Sequence, residues 1–138
     1  CGMVAWSEIE KTLDVCDLYL YDVKCIDAAA HKKYTGVDNA LILENLRRLS
    51  SAGKDIWIRV PVIPDFNDSI KEMTAIAEFL LSLPNAVCQV TLMPYHSLGA
   101  SKYATLGLEY PYDTTKSIRQ DTLEEFFDVF RSRGFLLK

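Results

Sequence analysis

The sequence predicts an α/β fold in which parallel strands near residues 17–24, 55–63 and 88–93 alternate with helices. Three observations predict it. The strand starts are spaced as strand–helix units are. Each strand reads as a near-continuous apolar run, the pattern of strands covered on both faces. Each also changes character toward its C-terminal end. The first ends in Asp22 and Lys24, the second carries Arg59 and runs into Pro61 and Pro64, and the third runs into Met93-Pro94-Tyr95-His96. In α/β folds that edge is where ligands bind. Three or four parallel strands form either a small doubly wound domain or part of a barrel. A complete eightfold barrel needs about 200 residues or more, and 138 are present. The polar strand ends favour part of a barrel.

The elements follow in order. Ser7-Glu8-Ile9-Glu10 has the spacing of a capping box and predicts a short helix to about Cys16. Asp17 to Lys24 is the first strand, and a polar, glycine-containing turn runs to about Asn39. Leu41, Ile42, Leu46 and Leu49 recur at helical spacing, with Gly53 closing that helix. Ile56 to Ile63 is the second strand. Asp68 or Ser69 caps a helix with the apolar face Ile70, Met73, Ile76, Ala77, Leu80 and Leu81. Cys88 to Met93 is the third strand, and residues 94–112 read as irregular with one short helical turn. Ser117 to Gln120 offers a second capping box for a helix carrying Leu123, Phe126, Phe127 and Phe130, which Gly134 ends. Phe135 to Leu137 is expected to add one short strand. No linker or low-complexity segment interrupts the pattern, so residues 1–138 read as a single domain.

Composition narrows the function. The chain is 49% hydrophobic and 25% charged with net charge −4, and its cations are scattered rather than clustered. Nucleic acid and acidic membrane surfaces are therefore poor partners. No apolar stretch approaches the ~20 residues that span a bilayer, and no secretory-leader pattern opens the sequence. Cys1, Cys16, Cys25 and Cys88 show no metal-ligand spacing. They read as reduced thiols of a cytoplasmic protein. The start at Cys1-Gly2-Met3 is compatible with a piece of something longer.

The chemistry-bearing residues sit on one face. Side chains alternate along a strand, so Leu18, Leu20, Asp22 and Lys24 share one side, and Tyr19, Tyr21 and Val23 the other. A plain strand-end salt bridge accounts for Asp22 and Lys24 equally well. Arg59 interrupts a strand that otherwise reads as covered, and a buried Arg needs an anionic partner: Asp22, or a carboxylate on a ligand. His96 is either a hydrogen-bonded structural residue or part of the site, and His31, in a Lys-rich segment, is expected to be exposed and without a role. Together Asp22, Lys24, Arg59 and His96 form a rim suited to a zwitterionic or carboxylate-bearing small molecule. The rim does not specify a reaction.

Three stretches resemble a known family. DLYLYDVK, HKKYTGVDNALILENLRRLSSAGKDIWIRVPVIPDFND and LMPYHSLGASKYATLGLEYP are similar, in order and separation, to the C-terminal half of glycyl-radical-enzyme activating enzymes. These are radical S-adenosylmethionine proteins of the pyruvate formate-lyase activating type. The resemblance runs from about Met3 to the end of the chain. It implies a partial (β/α)6 TIM-like barrel and two cofactors, S-adenosylmethionine and a [4Fe–4S] cluster held by a CxxxCxxC loop. The implied reaction generates a radical that takes hydrogen from a backbone glycine of a partner enzyme. The implied partners are a glycyl radical enzyme such as pyruvate formate-lyase and an electron donor, flavodoxin or ferredoxin.

By the same resemblance, Asp22 and Lys24 form a DxK motif facing S-adenosylmethionine and the peptide. Arg59 faces the same ligand or the glycine loop, and Met93 and His96 line the adenosine side. The sequence departs from the family in three places: it holds no CxxxCxxC or glycine-rich GGEP-like segment, Cys25 stands where histidine is frequent, and Pro61 stands where aliphatic residues are frequent. The chain accordingly reads as the last three βα units, without metal ligands and inactive alone. Activases of pyruvate formate-lyase, glycerol dehydratase and arylsuccinate synthase share the motifs, so the partner enzyme stays open. Two other readings are a lysine-dependent lyase acting through Lys24, which borohydride trapping would reveal, and a non-catalytic binding domain. An unpaired first strand also leads to an expectation that the isolated chain self-associates.

Overall fold

The computed structural model describes residues 2–110 and 113–138. Three strands, β1 (Leu18–Asp22), β2 (Asp55–Val62) and β3 (Gln89–Pro94), form a parallel sheet in the order β1-β2-β3. The register sets Asp22 opposite Arg59 and Arg59 opposite Thr91, with Pro61 opposite Met93 one step further along. The short strand expected near the end is a single parallel bridge. Val90 pairs with Leu137, Val90 N–H donating to Leu136 O at 2.8 Å and Lys138 N–H to Val90 O at 3.2 Å.

Helices α1 (Trp6–Glu10), α2 (Ala28–Thr35), α3 (Ala40–Ser51), α4 (Ile70–Leu81), α5 (Ala100–Thr105) and α6 (Gln120–Arg131) join the strands, with a 3₁₀ turn over Ser97–Gly99. Helices α3, α4 and α6 form where the apolar spacing predicts them. They bury Ile42, Leu46 and Leu49, then Met73, Ile76, Ala77 and Leu80, then Leu123, Phe126 and Phe130. Leu41, Ile70 and Leu81, expected on those faces, are exposed instead, because each lies at the margin of its apolar stripe.

Two expected caps do not form. Ser7 lies inside α1, whose N-cap is Ala5, and Glu10 accepts from Trp6 Nε1 instead of closing a box. Helix α1 also ends at Glu10, short of Cys16; turns follow, with Thr12 Oγ1 bonded back to Ile9 O. Arg119, not Ser117, precedes α6, and its guanidinium pairs with Asp121. The cap that does form is Ser69, whose hydroxyl accepts from Glu72 N–H.

Helix α2 replaces the turn expected before Asn39. Asp27 accepts from Ala30 N–H at its start, and Gly36, at φ 83°, ends it in the left-handed conformation that glycine adopts without strain. His31 lies within it and is 3% exposed rather than solvent-facing. Its Nδ1 lies 2.8 Å from Val37 O and 3.0 Å from Thr35 Oγ1, so the imidazole locks the helix end.

The sheet is covered on one face only, not on both. Along β2, Ile56, Ile58, Val60 and Val62 are buried, and Asp55, Trp57, Arg59 and Pro61 are not. Tyr21, Val23, Val90 and Leu92 join the buried set with the side chains of α3, α4 and α6. The leucines of β1 therefore lie on the open side, and Leu20 is 51% exposed. The N-terminal segment packs against the covered side: Asn45 Nδ2 donates to Gly2 O and Val4 O at 2.8 Å each, and Tyr21 leaves no room for a Cβ at Gly2. Among the described residues β1 pairs on one side only, with β2. Among the same residues no helix is long and apolar enough to cross a membrane.

Candidate functional site

The open face holds the charges that sequence alternation puts there. Asp22 ends β1, and the parallel register brings Arg59 beside it. Arg59 donates from Nε and Nη2 to the same carboxylate oxygen, Oδ1, at 2.7 Å each. The other oxygen, Oδ2, lies 3.6 Å from Lys24 Nζ. One carboxylate thus divides its two oxygens between two cations. The side chains of Asp22, Lys24 and Arg59 are 17, 28 and 39% exposed, so the cluster is partly shielded yet reachable. Arg59 is not the fully buried residue its flanking apolar run suggests. It stands on the uncovered face, where its guanidinium reaches Asp22.

Met93 stands one step beyond this cluster on β3, and His96 follows two residues past the strand's end. Met93 pairs in register with Pro61, the next open-face residue after Arg59. Together with Pro61, Tyr95, His96 and Tyr110 it lines a groove of about 260 Å³. His96 itself is exposed and precedes the 3₁₀ turn without capping it through its side chain. A smaller groove, about 170 Å³, opens on the same edge between Tyr34, Ile63, Asp65, Tyr95 and Lys116. Lys116 pairs there with Asp65, and Tyr34 stacks on Phe66 with ring centroids 4.4 Å apart. That second groove had no sequence signal, since its residues come from three separate connections.

Cys25, directly after Lys24, turns into the covered side and is buried. Burial first, and then the neighbouring Glu72 carboxylate, push its thiol up to about 12. It is a packed, protonated thiol. Among the described residues no three of His, Cys, Asp and Glu gather as a metal-binding group, and Cys16, Cys25 and Cys88 are dispersed. These side chains do not fit an iron–sulfur cluster, which needs clustered thiolates. The Asp22–Lys24–Arg59 set does fit a zwitterion: it offers one acceptor for an ammonium group and two charged donors for a carboxylate. Three side chains outside the predicted site, Asn39, Asn67 and Glu72, hold the backbone that follows Lys24.

Comparison with known proteins gives a consistent set of relatives. The chain is 36% identical over 137 residues to the choline trimethylamine-lyase activating enzyme of Oleidesulfovibrio alaskensis, covering 98% of this chain and 44% of that protein. It is 36% identical over 140 residues to the trans-4-hydroxy-L-proline dehydratase activating enzyme of Clostridioides difficile, covering 46% of it. The chain thus spans less than half the length of these curated relatives. Among solved structures, a domain of a pyruvate-formate lyase-activating enzyme from Bacteroides vulgatus superposes with a TM-score of 0.79 at 26% identity, over 96% of this chain and 72% of that domain. A radical SAM methyltransferase from Sphaerobacter thermophilus shares the fold, with a TM-score of 0.66 at 15% identity over 97% of this chain and 37% of that one. No family model matches the chain.

Proposed function

Because this chain is homologous, over nearly its whole length, to activating enzymes of glycyl radical enzymes, we propose that it forms part of such an enzyme and supplies part of its S-adenosylmethionine and peptide-facing site. In this reading the 138 residues are a single domain of consecutive βα units from a partial (β/α)6 barrel. Its open sheet face is the barrel interior. The observation that carries the reading is the Asp22–Lys24–Arg59 cluster on that face. S-adenosylmethionine, with a [4Fe–4S] cluster held elsewhere in the enzyme, supplies the radical chemistry when bound. The residues here bind and orient. Asp22 accepts from the ammonium group of the methionyl end. Lys24 donates a charge-assisted hydrogen bond to its carboxylate or ribose. Arg59 holds Asp22 in place and faces the ligand or the incoming glycine loop. Met93 and His96 border the adenosine side through the groove they line.

The remaining parts of the reading follow from the same kinship. The partner is a glycyl radical enzyme, the electron donor a flavodoxin or ferredoxin, and the setting cytoplasmic. The test is anaerobic reconstitution with iron and sulfide. The 138-residue chain is expected to hold no stable [4Fe–4S] cluster. A longer protein containing it is expected to hold one and, with S-adenosylmethionine and reductant, to raise the electron paramagnetic resonance doublet of a glycyl radical on its partner. A cubane cluster on the short chain, or no radical from a cluster-loaded longer protein, contradicts the proposal.

Taken alone, the chain is also expected to self-associate. Strand β1 presents one edge without a sheet neighbour among the described residues, beside exposed Leu20. Such an edge is a template for pairing. The alternative is that the first helix folds across that edge and keeps the chain monomeric; Glu8 and Ile9 of α1 do share a groove with Tyr19, Leu20 and Tyr21, yet Leu20 stays 51% exposed. Sedimentation at micromolar concentration is expected to show dimers or larger species, and a clean monomer would remove this expectation.

A further inference from the structure

Strands β1 and β2 part company just after the ion cluster. The last ladder bond between them is Val23 N–H to Arg59 O at 3.0 Å. Two residues on, β2 reaches Pro61, which has no N–H to donate. Lys24 O, Pro61 O and Ile63 N–H lie beyond the end of this ladder, and buried backbone groups left unpaired are costly.

One side chain serves all three. Asn67, 1% exposed, donates from Nδ2 to Lys24 O at 2.6 Å and to Pro61 O at 2.7 Å, and its Oδ1 accepts from Ile63 N–H at 2.7 Å. Its carboxamide stands in for a rung of the sheet. The next residues are held in the same manner. Asn39, also buried, donates from Nδ2 to Cys25 O and Ile26 O at 2.8 Å each. Glu72 Oε1 accepts from Ile26 N–H at 2.5 Å.

The last of these bonds has a telling alternative. Ser69 and Glu72 have the spacing of a capping box, and Ser69 Oγ accepts from Glu72 N–H. In such a box the carboxylate returns to the N–H of the cap residue. Here it reaches across to Ile26, 46 positions away in sequence. Helix α4 thus lends its first-turn acid to the strand end. Cys25 sits inside the clamp, and the adjacent Glu72 carboxylate disfavours its thiolate.

We propose that Asn67, Asn39 and Glu72 are positioning residues: they fix the backbone of Lys24–Ile26 and so aim Lys24 at Asp22 on the open face. The consequence for S-adenosylmethionine rests on the functional reading above; the clamp does not. A mutable strand end would let Lys24 swing away from the carboxylate that its Nζ approaches, and the three-residue charge set would lose one member.

The test uses the chain with Glu72→Ala and Glu72→Gln, because Asn67→Ala removes three bonds and is liable to unfold the strand end outright. Amide exchange is followed at Ile26 and at Ile58 and Val60 of the sheet core. Alkylation of Cys25 by iodoacetamide is followed by mass spectrometry, and the nuclear Overhauser contact between the Lys24 and Asp22 side chains by NMR. Glu72→Ala is expected to speed Ile26 exchange and Cys25 alkylation at least about tenfold relative to Ile58 and Val60, the scale of one lost charge-assisted bond, and to weaken the Lys24–Asp22 contact. Glu72→Gln, which keeps an acceptor oxygen, is expected to restore all three. Uniform acceleration across Ile26, Ile58 and Val60, or an unchanged Lys24–Asp22 contact in Glu72→Ala, overturns the proposal. A longer wild-type protein that fails to bind S-adenosylmethionine would sink the functional reading while leaving these readouts to decide the clamp.

Discussion

Replacing Phe130 with alanine is expected to destabilise the chain by about 3–5 kcal/mol. The ring is fully buried, on the face of α6 that joins the core with Phe126 and Leu123. It also meets Phe135 edge-on, with centroids 5.9 Å apart and planes at 67°. Phe135 begins the segment that returns to bridge β3 at Val90, so the substitution removes both the lock on α6 and the support for that bridge. The cavity lies between helix and sheet, where neighbours relax only in part. Small domains are stable by about 5–15 kcal/mol in total, so the variant is expected to unfold at markedly lower urea with an unchanged slope. Phe127, only partly buried, is the control: its alanine variant should lose much less. Equal losses at the two positions would show that α6 is not docked as described.

Lys24→Ala, made in a longer protein that binds S-adenosylmethionine, is expected to weaken that binding by about 1.5–3 kcal/mol, the scale of a charge-assisted hydrogen bond. That is roughly tenfold to a hundredfold in dissociation constant. The substitution removes one of the two cations on the Asp22 carboxylate and leaves the Arg59 pair intact, so the fold should be little affected. A solvent-facing lysine in α4, Lys71, provides the control. Calorimetric titration under anaerobic conditions reads the difference. An unchanged dissociation constant would remove Lys24 from the site.

What could be read in advance follows from which interactions are local. The parity of a strand needs only adjacent residues, so Asp22 and Lys24 fall on one face whatever their surroundings. Arg59 follows from the same counting along β2. Which face the helices cover is a long-range matter, and an apolar run such as Leu18 to Tyr21 carries no mark of it. The Tyr side proved to be the packed one, and the leucines lie on the open face. Ala28 to Thr35 carries no apolar stripe to mark helix α2; its signals are the Asp27 cap and the Gly36 terminator. The lysines around His31 predict exposure, but its ring is held by Thr35 and by Val37 just past the helix end. The clamp was hidden for a different reason. Asn67 acts on Lys24 from 43 positions away, and a side chain that replaces a backbone rung has no periodicity to betray it.

On the proposed function, the open sheet face is the ligand surface. Hydrogen exchange of the reconstituted longer protein, with and without S-adenosylmethionine, tests this most directly. Protection is expected to rise over residues 20–24, 57–61 and 91–96, which carry Asp22, Lys24, Arg59, Met93 and His96, and to stay level over α3 and α6. Bound ligand with no added protection along those three strand ends would contradict it.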